Sequence, residues 1–217
     1  AGNGTAPSAT DYANVGVNGI DTAAEVGLLG SVIDAKSSAD VDTAAELQAL
    51  ADAVQAVMTT AAGGTPAVTK AQLELLGITG VTTDNLAAIT QAIANTADNG
   101  SGVSSLSDLQ AAATAAAAAA AAALSSISAA AGADTATATT PALTDYQAAG
   151  VTGVTANNLA AINSLLNDTD INSATVDTSA ELQTLVNSYN AILAAADGTA
   201  GNGTAPSATD YANVGVN

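Results

Sequence analysis

Twenty carboxylates and two lysines, Lys36 and Lys70, are the charged groups of this chain, which has no His, Cys or Arg. One stretch, Asp168-Thr-Asp170-Ile-Asn172, sets oxygen ligands at the first, third and fifth positions of a loop between two helices, as a calcium loop begins. The pattern breaks at Ser173, where the sharp turn calls for Gly, and at Ser179, where a bidentate Glu closes the site. Asp34, Asp40 and Asp42 form a second acidic corner, and Asp197 with Asn202 a third. The same oxygens cap helices and turn chains. Calcium is therefore the one cofactor these residues suggest, and the expectation is that the fold does without it.

Catalysis near neutral pH draws on a proton acceptor, an activated nucleophile or a well-held metal. With no His or Cys and two isolated lysines, only paired carboxylates remain, as in glycosidases. Here the carboxylates fall in caps and links, and four tyrosines are the only aromatics available to line a sugar cleft. No glycine loop leads into a phosphate-binding Lys or a dinucleotide fingerprint. The sequence reads as a non-enzyme.

A repeat positions the carboxylates. The stretch from Tyr146 to Ile162, Tyr-Gln-Ala-Ala-Gly-Val-Thr-Gly-Val-Thr-Ala-Asn-Asn-Leu-Ala-Ala-Ile, returns from Leu73 to Ile89 and, more diverged, from Tyr12 to Val26. It begins again at Tyr211. Each copy reads as a short helix ending on Gly16, Gly77 or Gly150, a tight turn at Gly19, Gly80 or Gly153, and a second helix. Glycine suits a helix end because it takes positive φ without steric cost. A second marker follows: Val41-Asp-Thr-Ala-Ala-Glu-Leu-Gln48, Val103-Ser-Ser-Leu-Ser-Asp-Leu-Gln110 and Val176-Asp-Thr-Ser-Ala-Glu-Leu-Gln183. Thr43 with Glu46, Ser105 with Asp108 and Thr178 with Glu181 stand three apart, the signature of a capping box that starts a third helix.

The predicted fold is all-α, with tandem three-helix bundle-like repeats forming an elongated array. Residues 1–9 form a linker from a previous period; the units are 10–65, 66–140 (with a polyalanine helix) and 141–199. Residues 200–217 are identical to 1–18 and start the next period. In the first unit, helices are expected at 10–15, 22–36 behind Asp21 as cap, and 44–59. Val26, Leu29 and Ile33 should face inward on the second, and Leu47, Leu50, Val54 and Val57 on the third. In the middle unit the third helix should run from Leu106 to Ala129 through nine consecutive alanines, Ala115 to Ala123. Methyl groups bury little area, so such a helix gains only where another backbone comes close. Ala115, Ala119 and Ala123 are accordingly the expected self-association face.

A formal charge of −18 sets the chain against nucleic acid and anionic membranes, and no apolar run is read as long enough to span a bilayer. The expected partners are neighbouring repeats and other copies of the chain. The glycine-turn and Val-Asp-Thr-x-x-Glu-Leu-Gln markers resemble the helical repeats of very large bacterial surface proteins, biofilm-associated and adhesin-like, over residues 10–197. The three-helix plan is also similar to the albumin-binding modules of Gram-positive surface proteins. The resemblance implies an extracellular, cell-surface location and a structural role in a filament or adhesin stalk. The alternative is a module recognising a host protein or glycan.

Overall fold

The computed structural model describes residues 6–132, 140–196 and 204–216. Most of the linker read at the N-terminus, the Thr-rich link before Thr140, and the corner of Asp197 with Asn202 lie outside them. The described residues hold α1 (Ala9–Asn14), α2 (Ala23–Asp34), α3 (Ala44–Ala61), α4 (Lys70–Leu76), α5 (Leu86–Ala94), α6 (Leu106–Gly132), α7 (Leu143–Ala148), α8 (Leu159–Leu165), α9 (Ser179–Ala195) and α10 (Ala208–Asn213). Two short 3-10 turns, Ser38–Asp40 and Ser101–Val103, lie in the links, and no strand occurs among the described residues. The fold is all-α, as expected.

Local chemistry accounts for where the helices begin. Thr43 accepts the amide proton of Glu46, whose carboxylate takes the Thr43 amide, and Thr178 with Glu181 does the same. In the middle marker Ser105 accepts the Asp108 amide proton and donates its hydroxyl to the Asp108 carboxylate. The same reciprocal arrangement starts α1 (Ser8, Asp11), α2 (Thr22, Glu25), α4 (Thr69, Gln72) and α10 (Ser207, Asp210). The cap of α2 is thus Thr22 and not Asp21. A hydroxyl three residues before Glu25 completes a box that Asp21 is one residue too early to make.

The chain divides into two compact units, Ala1–Ala117 and Ala118–Asn217, and the boundary falls within α6. In the first unit one core joins Tyr12, Leu28, Leu29 and Val32 to Leu50, Val54 and Val57, then to Leu73, Leu76, Ile89 and Ile93, and to Leu109 and Ala113. This core draws on two successive sequence repeats. The inward face of α2 is Ala24, Leu28, Leu29 and Val32, while Val26 and Ile33 are half-buried. A non-local contact flanks this face of the helix. Gly27 lies so close to the next link that an added Cβ would be 2.8 Å from the Ser104 carbonyl oxygen. Beside it, Ser31 Oγ accepts the Leu106 amide proton at 2.8 Å.

The second unit packs Ala123, Ile127, Ala130 and Ala131 with Tyr146, Val151, Ile162, Leu166, Ile171, Val176, Leu182, Leu185 and Val186. Along α6 the buried positions are Leu109, Ala113, Ala120, Ala123, Ile127, Ala130 and Ala131, and with the half-buried Ala116 those from Leu109 to Ala130 alternate steps of four and three. That alternation keeps a stripe on one side of a helix with 3.6 residues per turn. Ala115, Ala119 and Ala123 step by four each time and drift around the helix. Ala115 and Ala119 are exposed, whereas Ala123 is 5% exposed and belongs to the chain's own core. Ala123 is therefore withdrawn from the expected self-association face.

Candidate functional site

The recurrent feature of the chain is the glycine turn together with the glutamine that ends each second marker. Gly16, Gly77 and Gly150 have φ of +86°, +96° and +75°, and Gly19, Gly80 and Gly153 of +80°, +78° and +84°. A side chain at any of these would be strained. The turn returns the chain so that the residue two past the first glycine faces the third helix of its own repeat. There Gln48, Gln110 and Gln183 each hold that residue by both backbone groups. Asn18 N–H donates to Gln48 Oε1 at 2.8 Å, and Gln48 Nε2 donates back to the Asn18 carbonyl at 3.2 Å. The distances for Thr79 with Gln110 are 2.9 and 3.2 Å, and for Thr152 with Gln183 2.8 and 3.1 Å.

The second amide proton of each glutamine goes one helical turn onward, to Asp52, Thr114 or Asn187. This orients the side-chain amide before the turn arrives. The turn carbonyl is held too: Gln55 donates to Gly19 O at 2.7 Å, Asn85 to Gly80 O at 2.8 Å, and Asn158 to Gly153 O at 2.9 Å. Neither role was assigned from sequence, although the glutamines lie at nearly constant distance behind the glycines. That constancy was the available signal.

Many of the carboxylates serve caps and turns. In the loop read as a calcium candidate, Asp168 Oδ1 accepts the Asp170 amide proton at 3.0 Å, and Asn172 Oδ1 accepts that of Ala174 at 3.0 Å. Ser179, at the closing position, is buried and donates its hydroxyl to the Ala149 carbonyl at 2.6 Å. No group of three or more His, Cys, Asp or Glu converges among the described residues. Hydroxyl and amide donation from Ser8, Ser37, Thr43, Thr178 and Ser207 holds Asp11, Asp40, Glu46, Glu181 and Asp210 below the usual carboxylate range. Lys70, read from sequence as isolated, forms an ion pair with Glu74 one turn away.

Two clefts flank α10. One is bordered by Ala180, Thr184, Leu185 and Asn213, the other by Ala191, Ala195, Pro206 and Asp210. They are the gaps left beside a helix resting on α9, against which α10 packs. Residues Leu106–Ala131 of α6 have a mean hydropathy of 1.5 and by length and composition suffice to cross a membrane, contrary to the sequence reading. Their apolarity comes mainly from alanine, and Leu109, Ala113, Ala123 and Ile127 are covered by the chain itself. No known protein family, curated protein or solved structure matches the chain.

Proposed function

We propose that this chain is a structural repeat segment of an extracellular surface filament or adhesin stalk, acting by tandem repetition and self-association. The observation that carries the reading is the glutamine clamp, built three times with a glutamine gripping both backbone groups at the same turn position. A ligand site is made once per domain and converges on a cleft. Here the hydrogen-bonding specificity is spent on holding each unit's own turn, and it recurs with the repeat. Identity of 200–217 with 1–18 supports continuation of the same plan in an elongated array of three-helix units. A charge of −18 favours solubility of a long repetitive chain and opposes nucleic-acid binding. The resemblance to giant bacterial surface proteins supports the cell-surface location. No catalytic role is part of the proposal.

Electron microscopy of polypeptides carrying one, two and four periods tests it. The expected particles are rods whose length grows in proportion to the number of periods. Particles that stay compact as periods are added would overturn the reading and favour recognition of a host protein or glycan.

A further inference from the structure

Helices α1 and α10 have the same sequence, yet they bury opposite sides. In α1, Tyr12 and Val17 are 4% and 1% exposed, while Val15 is 54% exposed. In α10 the order reverses. Val214, the counterpart of Val15, is 5% exposed, and Tyr211 and Val216, the counterparts of Tyr12 and Val17, are 40% and 58% exposed. Identical residues have identical propensities, so the difference comes from the neighbours. The side that α1 buries faces its own unit, through Tyr12 and Val17. The side that α10 buries faces the preceding helix, α9.

The α10–α9 contact is specific. Asn213 Nδ2 donates to Ser188 Oγ at 2.9 Å, and Ser188 also hydrogen-bonds the Asp210 carboxylate. Gly215, with φ of +84°, comes so near Asp168 that an added Cβ would lie 2.7 Å from the carboxylate. In α1 the matching groups are Asp11, Asn14, Val15 and Gly16. All four are exposed, and no heavy atom would lie within 4 Å of a Cβ on Gly16. The two internal copies of this helix have both sides covered. Leu73, Leu76 and Ile78 in one, and Tyr146, Ala149 and Val151 in the other, are each 2% exposed or less.

We propose that this helix is a two-sided joint. The open face of α1 seats on the α9 surface of a preceding copy of the repeat, while Tyr12 and Val17 stay in their own unit. Asn14 and Asp11 take Ser188 of that copy, Gly16 lies against its Asp168, and Val15 fills the place that Val214 fills here. A side chain at Gly16 would collide with that Asp168 as well as strain the turn. The proposal rests on the structural-repeat reading and names the contact by which successive periods are joined.

Cysteine labelling tests it, because the native chain has no Cys. Single variants Val15→Cys, Val214→Cys and Tyr211→Cys are compared in the 217-residue chain and in a two-period polypeptide, residues 1–199 followed by the full 217. In both lengths Val15→Cys should label fast and Val214→Cys at least about tenfold more slowly, since its labelling needs local opening. Tyr211→Cys should label fast in the shorter chain and become protected only in the longer one. If Val214→Cys becomes as reactive as Val15→Cys once the second period follows, the helix leaves α9 when its own unit forms, and the joint is overturned. Protection at 214 without protection at 211 in the longer chain also overturns it, because the helix is then one-sided. Either failure is separable from failure of the repeat reading, since rods joined by flexible links would still lengthen with each period.

Discussion

Two tyrosines at equivalent places in their repeats meet different partners, and the difference is a matter of single atoms. Tyr146 Oη donates to Asn163 Oδ1 at 2.7 Å, and Asn163 Nδ2 in turn donates to the Pro141 carbonyl at 2.8 Å. In the first repeat the buried Tyr12 Oη has no partner. A buried hydroxyl without a partner destabilises, whereas removing one member of a pair leaves the other unsatisfied. Tyr146→Phe is therefore expected to cost about 1–3 kcal/mol, and Tyr12→Phe to be neutral or stabilising by about 1 kcal/mol. Thermal unfolding of the two variants checks the opposite signs. Burial raises both phenols above their ordinary pKa. The folded state thus favours the protonated form, and stability is full below the ordinary tyrosine pKa of about 10 and falls as pH rises above it. Each substitution should flatten part of that alkaline fall.

At the scale of elements, what was legible in the sequence was what acts within a few residues. The caps at Thr43 and Thr178 and the glycines at 77 and 150 declare themselves by spacing, and the structure places them as expected. On α2, Leu29 is buried as expected and Val26 and Ile33 pack against the core, but Ala24, Leu28 and Val32 were not foreseen, on a helix that also meets the distant Ser104 through Gly27. On α6, Ala115 and Ala119 are exposed but Ala123 is covered, because polyalanine carries no periodicity and only its neighbours show which methyls are covered. The glutamine clamp lies between these cases, visible as a repeated residue but meaningful only once the turn and third helix are seen together. Its contribution can be separated chemically. Gln183→Ala removes both backbone hydrogen bonds to Thr152, and the one from the Thr152 hydroxyl, and should cost about 1–2 kcal/mol, lowering the melting temperature by roughly 2–8 °C. Gln183→Glu keeps the volume but can neither donate to the Thr152 carbonyl nor avoid facing it with charge. It should destabilise at least as much at neutral pH and recover as the carboxylate is protonated. If Gln183→Glu melts like the native chain at neutral pH, the clamp adds nothing to stability.

For the whole molecule, self-association through α6 is a separate proposal from the end-to-end joint, and its face follows from burial. Ala111, Ala115, Ala118 and Ala122, with Ala119 and Ala121 beside them, are exposed along a helix that runs from Leu106 to Gly132. A lone chain has no need for methyls at exposed positions, where charged helix formers would serve as well. In laterally associated chains small residues let two backbones approach closely, and a larger side chain would hold them apart. Ala119→Leu separates the two situations, because both residues favour helix and the site is exposed within the chain. The helicity of the 217-residue variant, read by circular dichroism, should match the native value. Overpacking a tight contact costs about 1–3 kcal/mol at each copy, and the penalty recurs with every period. Assemblies of multi-period Ala119→Leu chains should therefore lose lateral order in electron micrographs while single rods keep their length. Native-like lateral order from the variant would show that this stretch of α6 is a spacer, with chains held apart at that position. Unequal rod lengths would instead place the damage within the chain, at the packing that α6 makes through Leu109 and Ile127.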